Sequence, residues 1–315
     1  MQRYIVSRLG HSVILLVFVS MLTFVLIHAA PGGPAILLAP EMTGQQIQQA
    51  EKSLGLDEPL PVQYVRWLGN VARGHLGESF GAGLPVTQLI ADRLPATLEL
   101  VGTGLVLSVA AGVAIGIVSA VHRYSIVDHL STGIAFFGMS VPVFWFGLML
   151  IIVFSTTLHI LPSAGAYTLG SATSVGDRLA HLTLPAIVLA MANLAQITRY
   201  TRSSMLEVLN ADFLRTARAK GVSGRAVVYH HALRNALIPI VTVIALAIPR
   251  LVGGVAITES VFTWPGMGQL AVDSALQRDY PMIMGITLMV SIVVVATNFL
   301  TDLSYLLLDP RVELG

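Results

Sequence analysis

The stretch DFLRTARAKGVSGRAVVYHHALRN, residues 212–235, is the most polar long run in an otherwise apolar chain. It carries Arg215, Arg218, Lys220, Arg225 and Arg234 between the apolar runs LTLPAIVLAMANLAQIT and ALIPIVTVIALAI. Guanidinium and ammonium groups only donate hydrogen bonds. A cluster of them can hold carboxylates, backbone carbonyls or anionic lipid headgroups. Positive-inside topology and lipid contact account for the charge alone. They do not account for the glycine and serine that punctuate the run, which are residues that stop and start helices.

The other residues with chemistry to offer lie inside or beside apolar stretches. These are Glu99, Asn193, Gln196, Arg250, Glu259, Asn298 and Asp302. Polar groups there are expensive and usually face a cavity or a partner helix. Asn193 and Gln196 are three apart and share one helical face. Arg250 and Glu259 flank LVGGVAIT, whose Gly253 and Gly254 permit close helix approach. Asn193, Gln196, Arg250 and Glu259 are therefore candidates for lining a translocation path, with interhelical hydrogen bonding as the alternative. Glu99 and Asp302 fall near span ends and read as headgroup-region residues.

Several chemistries are excluded by pattern. His230 and His231 are adjacent, about 100° apart on a helix, and no histidine pair within one element has metal-ligand spacing. H-E-x-x-H is absent, and FGMSVP departs from the G-x-S-x-G elbow at Pro142. No G-x-x-x-x-G-K-[ST] occurs, so no phosphate cradle for ATP is expected in this chain. With no cysteine, thiol chemistry and disulfides are absent. The chain reads as non-catalytic, with no metal and no bound cofactor of its own.

What must position these residues is a membrane fold. Of 315 residues, 55% are hydrophobic and 11% charged. A soluble domain carries about 25% charged residues, so much of this surface faces lipid. Six apolar runs are long enough to cross a hydrocarbon core of about 30 Å: 9–30, 96–121, 131–158, 182–201, 237–258 and 282–308. The expected fold is an all-α integral membrane protein with six spans. The first run exceeds a leader's apolar core of about 7–15 residues and reads as a span. Lys and Arg in the short loops place both termini on the cytoplasmic side. The expected organisation is 1–30 as terminus and first span, 31–95 as an extracytoplasmic segment, and 96–315 as a five-span core with a cytoplasmic loop over 203–236. Within 31–95, Thr43 and Gly55 bound one short helix and PVQYVRWLGNVARG forms a second. Trp264, in the WPG turn after the fifth span, reads as an interfacial anchor or a re-entrant turn residue. Six spans do not divide into two matching inverted halves, which counts against a carrier working alone.

The loop resolves into an elbow. Leu206, Leu209, Phe213 and Ala217 recur at i, i+3 and i+4 steps, one face of an amphipathic helix. Gly221 suits the left-handed position that ends a helix, and Ser223 can cap the next. Pro239 is placed in the first turn of the fifth span.

RTARAKG followed by HALRNALIPIV resembles the cytoplasmic loop of ABC importer permeases. Where many members show Glu-Ala-Ala, three residues and Gly, this chain has Arg215, Thr216 and Ala217 with Gly221 in register. That departure is similar to the branch that imports dipeptides, oligopeptides, nickel and glutathione. LGLDEPLPVQYVRWL, RLPATLEL, ITESVFTWPGMGQL and RDYPMIMG resemble the same branch, while GHLGES carries His75 where the family often has Asp.

The resemblance implies an ABC type I importer permease in a bacterial inner membrane, with peptides as substrate and nickel complexes or glutathione as alternatives. It implies that Arg215, Thr216, Ala217, Arg218, Ala219, Lys220, Gly221, Arg234 and Asn235 form an elbow seated in a separate ATPase subunit. Small residues there would let the backbone sit close, and the cations would reach acidic groups or carbonyls. It further implies a second, homologous permease, one or two ATPases that bind ATP and Mg²⁺, an extracytoplasmic binding protein and surrounding lipid, with no nucleic acid. A stand-alone secondary carrier is the rival from another class.

Overall fold

The computed structural model describes residues 2–31, 33, 34, 43–168, 170 and 174–308; within these, the side chains of 2–6, 47, 50, 53, 135, 136, 139, 238, 242, 245, 246, 248–254 and 302–308 are not described. Among the described residues the structure is helical, with no strand beyond an isolated bridge between Glu78 and Pro85. The described residues divide into two compact units, one formed by 2–97 with Pro265–Ala296, the other by Leu98–Trp264 with 297–308.

In the first unit, α1 (Gln2–Ala29) is followed by α2 (Gly44–Leu54) and α3 (Leu60–Ala72). Local chemistry sets these bounds. The Thr43 backbone N–H donates to Gln46 Oε1 at 2.8 Å, closing the first turn of α2, and Gly55 ends it at φ 68°. The start of α4 (Val86–Val121) packs Val86 and Ile90 against Met282 and Ile286 of α12 (Tyr280–Leu308) and Met267 of α11 (Met267–Leu276). Asp279 caps α12 by accepting from Met282 N–H at 3.2 Å. The same carboxylate accepts from Ser79 Oγ at 2.5 Å and Gly81 N–H at 3.1 Å, which fixes the 78–85 turn.

In the second unit, α7 (Val175–Leu209) is the central element, packed against α5 (Ile126–Ser140), α6 (Val143–Leu150) and α10 (Leu233–Val261). Its first turn is capped by Ser174, which accepts from Asp177 N–H. Helix α4 meets α7 through a stripe of small residues: Gly104, Ser108, Gly112 and Gly116, four apart. A Cβ on Gly104 would stand 3.1 Å from Leu189. On Gly112 it would stand 2.8 Å from Ile197, and on Gly116 2.6 Å from Thr201 Cβ and 2.8 Å from the Thr198 carbonyl. Missing side chains let two backbones approach where lipid offers no hydrophobic drive.

Among the described residues, four helices are long and apolar enough to cross a membrane: Ser7–Ala29, Val86–Val121, Val175–Leu209 and Tyr280–Thr301. They contain the runs expected at 96–121 and 182–201, all but the last residue of 9–30, and much of 282–308. Helices α4 and α7 start about ten and seven residues before the apolar runs, because capping and tertiary packing extend helices past the hydrocarbon core. The run 131–158 is not one helix. Val141 turns extended (φ −87°, ψ 127°), α6 begins after Pro142, and the last turn, Ile151–Thr157, widens to a π-helix. Pro142 lacks an N–H and its ring pushes Val141 out of the helical region. The run 237–258 lies within α10.

The α4–α7 approach generates a test. Gly116→Ala is expected to destabilise the chain by about 1–3 kcal/mol through overpacking. Gly102→Ala, where nothing lies within 4 Å of the added Cβ, is expected to be neutral. Thermal unfolding in detergent, followed by loss of monodisperse elution, reads both; equal midpoints would remove the close-approach argument.

Candidate functional site

The elbow is built on a buried pad. Helix α7 ends at Leu209, Asn210 closes it by donating from Nδ2 to the Leu206 carbonyl at 2.9 Å, and Ala211 turns extended before α8 (Asp212–Ala219). Leu214 is 0% exposed and packs with Ile117 and Ala120 of α4, Met205 of α7, and Val227, Ala232, Ala236 and Ile240 further along. The apolar face read from spacing is thus corrected. The break at Asn210–Ala211 separates Leu206 and Leu209 from Phe213 and Ala217 and resets the helical phase. Leu214 takes the core position, and Phe213 is 46% exposed.

The end of α8 is a complete Schellman motif. Val222 N–H donates to the Ala217 carbonyl at 3.2 Å and Gly221 N–H to Arg218 at 3.0 Å, with Gly221 at φ 78°. A side chain on Gly221 would meet nothing within 4 Å, so the demand for glycine is conformational rather than steric. Ser223 then caps α9 (Gly224–Ala226) by accepting from Ala226 N–H, and the chain winds through a π-helical segment, Val227–Ala232, into α10. Pro239 is therefore not in a first turn. It is the seventh residue of α10, where it removes a donor to the Asn235 carbonyl.

On this frame Arg215, Thr216, Arg218, Ala219, Lys220, Gly221, Arg225, Arg234 and Asn235 are exposed, and Ala217 is half-buried. Arg215 meets Asp212 at 3.5 Å with both groups in solvent, a contact worth little. Asn235 donates to the His231 carbonyl at 2.8 Å, and Arg234 and Asn235 line one open hollow with His230 and His231. The result is a cationic, largely unpaired surface on a capped and packed frame.

Of the path candidates, Asn193 is buried on α7, Gln196 is half-buried one turn on, and Glu259 is fully buried near the end of α10. The side chains of Arg250 and Asp302 lie outside the described residues. Asn298 is exposed on α12. Glu99 is paired with Arg178, whose Nε donates to both carboxylate oxygens at 3.2 and 3.0 Å and whose Nη2 also contacts the carboxylate. The same guanidinium lies 4.3 Å from the Trp264 ring and 4.7 Å from the Tyr167 ring. Trp264 is 0% exposed. It is a buried stacking partner for Arg178, which corrects its reading as an interfacial anchor.

The most tightly held polar group is not among the sequence candidates. Asp128, in the first turn of α5, accepts from Arg202 Nε and Nη2 at 2.7 and 2.8 Å, from Ser119 Oγ at 2.5 Å, and from Tyr124 N–H at 2.9 Å. It is buried, and Tyr124 adopts a left-handed φ of 65° to make its bond. The fork from Arg202 outweighs the opposing effect of burial; with Ser119 and Tyr124 it holds the carboxyl well below the usual carboxylate range. Ser125-x-x-Asp128, a capping pattern ahead of an apolar run, is the available signal for half of this pair.

A family model described as "Binding-protein-dependent transport system inner membrane component" matches residues 112–314, and its companion for the N-terminal part matches 1–101. The oligopeptide transport system permease protein AppB of Bacillus subtilis is 44% identical over 99% of this chain and 100% of its own length. The dipeptide transport system permease protein DppB of Escherichia coli K12 is 38% identical over 99% of each. Among solved structures, an inward-facing MetNI methionine ABC transporter aligns with a TM-score of 0.57 at 18% identity, over 70% of this chain and 97% of that one.

Asp128→Asn is expected to cost about 3 kcal/mol, because it leaves the Arg202 guanidinium without its counter-charge. A carboxyl whose pKa is depressed on folding adds stability above its unfolded value, near 3.9, and loses it as pH falls towards the lower folded value. Unfolding midpoints from pH 7 to 3 should therefore fall less steeply in the acid limb for Asp128→Asn than for the parent. Parallel limbs would show that Asp128 is not held ionised.

Proposed function

The chain belongs to the inner-membrane components of binding-protein-dependent transport systems, and on that premise we propose that it forms half of the translocation pathway of an ATP-driven peptide importer and is pushed through the 212–222 elbow. The peptide substrate is supported by the names of relatives matched along their whole length, the oligopeptide and dipeptide permease proteins. The complete assembly would hold a second, homologous permease, one or two ATPases that bind ATP and Mg²⁺, and an extracytoplasmic binding protein. In this reading the chain has six spans with both termini cytoplasmic, in the type I importer arrangement.

The observation that carries the coupling role is the elbow itself. A loop needed only for charge asymmetry requires no fixed shape. This one has a stop signal, a start signal and a hydrophobic pad that ties α8 to α4, α7 and the approach to α10. A force applied to α8 therefore reaches three spans through close-packed side chains, as rigid-body switching requires. Arg215, Arg218 and Lys220 stand free of strong internal partners and would recognise acidic or carbonyl groups on the ATPase, with Arg234 and Asn235 beside them. Asn193, Gln196, Arg250 and Glu259 are proposed to line or shape the path; a zwitterionic cargo favours a wet route with weak binding.

Gly221→Val tests the coupling. A β-branched residue at φ 78° is strained by about 1–3 kcal/mol, enough to reshape the turn. In proteoliposomes holding the assembled importer, uptake is expected to fall at least about tenfold, the equivalent of about 1.4 kcal/mol, while the chain still inserts and ATP hydrolysis persists. Full uptake by the variant would refute the coupling role.

A further inference from the structure

Helix α3 packs alongside α1. The Tyr64 hydroxyl lies 2.9 Å from Ser20 Oγ and donates to the Val17 carbonyl at 3.1 Å, and its ring is 5.4 Å from that of Phe24. Ser20 and Val17 are inside the membrane-crossing stretch Ser7–Ala29. They precede its end by nine and twelve residues, roughly 13 and 18 Å at 1.5 Å per residue. A phenol cannot bridge that distance, so the helix that carries it lies alongside the span, at the depth of the adjoining leaflet.

The exposed face of α3 fits that position. At 100° per residue, Val62, Val65, Leu68, Gly69 and Ala72 fall within one arc of about 120°. Val65 is 66% exposed and Val62 46%. Tyr64 and Trp67 point to the protein side, where their rings stack at 6.0 Å. Gln63 and Asn70 occupy a polar arc. Arg66 and Arg73 sit on its border with the apolar face, where long cationic side chains reach headgroups from a buried stem. Arg66 is held there by Glu58 at 2.6 Å. On α1, Val25 and Leu26 are also exposed.

We propose that α3 is an interfacial helix whose Val62–Val65–Ala72 face is immersed in the lipid leaflet at the C-terminal end of α1, with Arg66 and Arg73 at headgroup level. The partner is the acyl region of that leaflet. The inference rests on α1 crossing the membrane and not on the coupling reading, so the two fail separately.

The chain has no native cysteine, so single-cysteine spin labels report unambiguously. Val65→Cys, Asn70→Cys and Leu26→Cys are labelled in the full-length chain, reconstituted with its co-purifying subunits into phosphatidylethanolamine/phosphatidylglycerol nanodiscs. Accessibility to oxygen is compared with accessibility to a water-soluble nickel chelate. The expected result is a positive depth parameter at Val65, of the same sign as Leu26, and a negative one at Asn70. A Val65 label as open to the chelate as the one at Asn70 would overturn the proposal. A Val65 label shielded from both reagents would also overturn it and assign the face to a protein partner.

Discussion

Helix α4 can lie against α7 only where side chains are missing, and much of the second unit depends on that approach. The contact at Gly116 falls on Thr198 and Thr201, one residue from Arg202. One turn along α4 come Ile117, Ser119 and Ala120. Ile117 and Ala120 form the floor of the pad under Leu214, and Ser119 is the hydroxyl that completes the shell around Asp128. A larger residue in the stripe would separate the helices at the place where the elbow is seated and the buried carboxylate is paired.

The two forked guanidinium–carboxylate pairs share a common logic. In each, an arginine of α7 reaches an acid of a neighbouring helix, and additional groups surround the charge: Ser119 and a backbone N–H for Asp128, two aromatic faces for Arg178. Pairs of this kind add little net stability over an apolar contact, but losing one partner is costly. They act as registers, fixing which turn of α7 faces which neighbour. The exposed cations of α8 differ in kind. They have weak internal partners and a capped and packed backbone, the arrangement suited to meeting another surface.

Legibility in the sequence tracks the range of the interactions. Gly221, Ser223, Thr43 and Gly55 are readable because caps and stops are decided within a few residues. The apolar runs are readable because span length is a property of composition. The break at Pro142 is hidden by the apolar run on both sides, although the proline itself is visible. The phase of α8 is obscured because a two-residue interruption at Asn210–Ala211 leaves the i, i+3, i+4 pattern looking continuous. Asp128–Arg202 and Glu99–Arg178 join residues 74 and 79 apart, and no local signal announces such a pairing. Trp264 stacks on the arginine of one of those pairs, 86 residues away, and that contact is hidden with it.

The arginines Arg178 and Arg202 lie 24 residues apart on one uninterrupted helix, so roughly 36 Å separates them at 1.5 Å per residue. Each is anchored to a neighbouring helix near one end of α7. That spacing is a fixed ruler slightly longer than a hydrocarbon core of about 30 Å. A bilayer of different thickness cannot be met by sliding α7 along its neighbours without breaking one of the two anchors. Hydrophobic mismatch must instead be absorbed by tilting this packed group as a body, or by thinning and thickening the surrounding lipid.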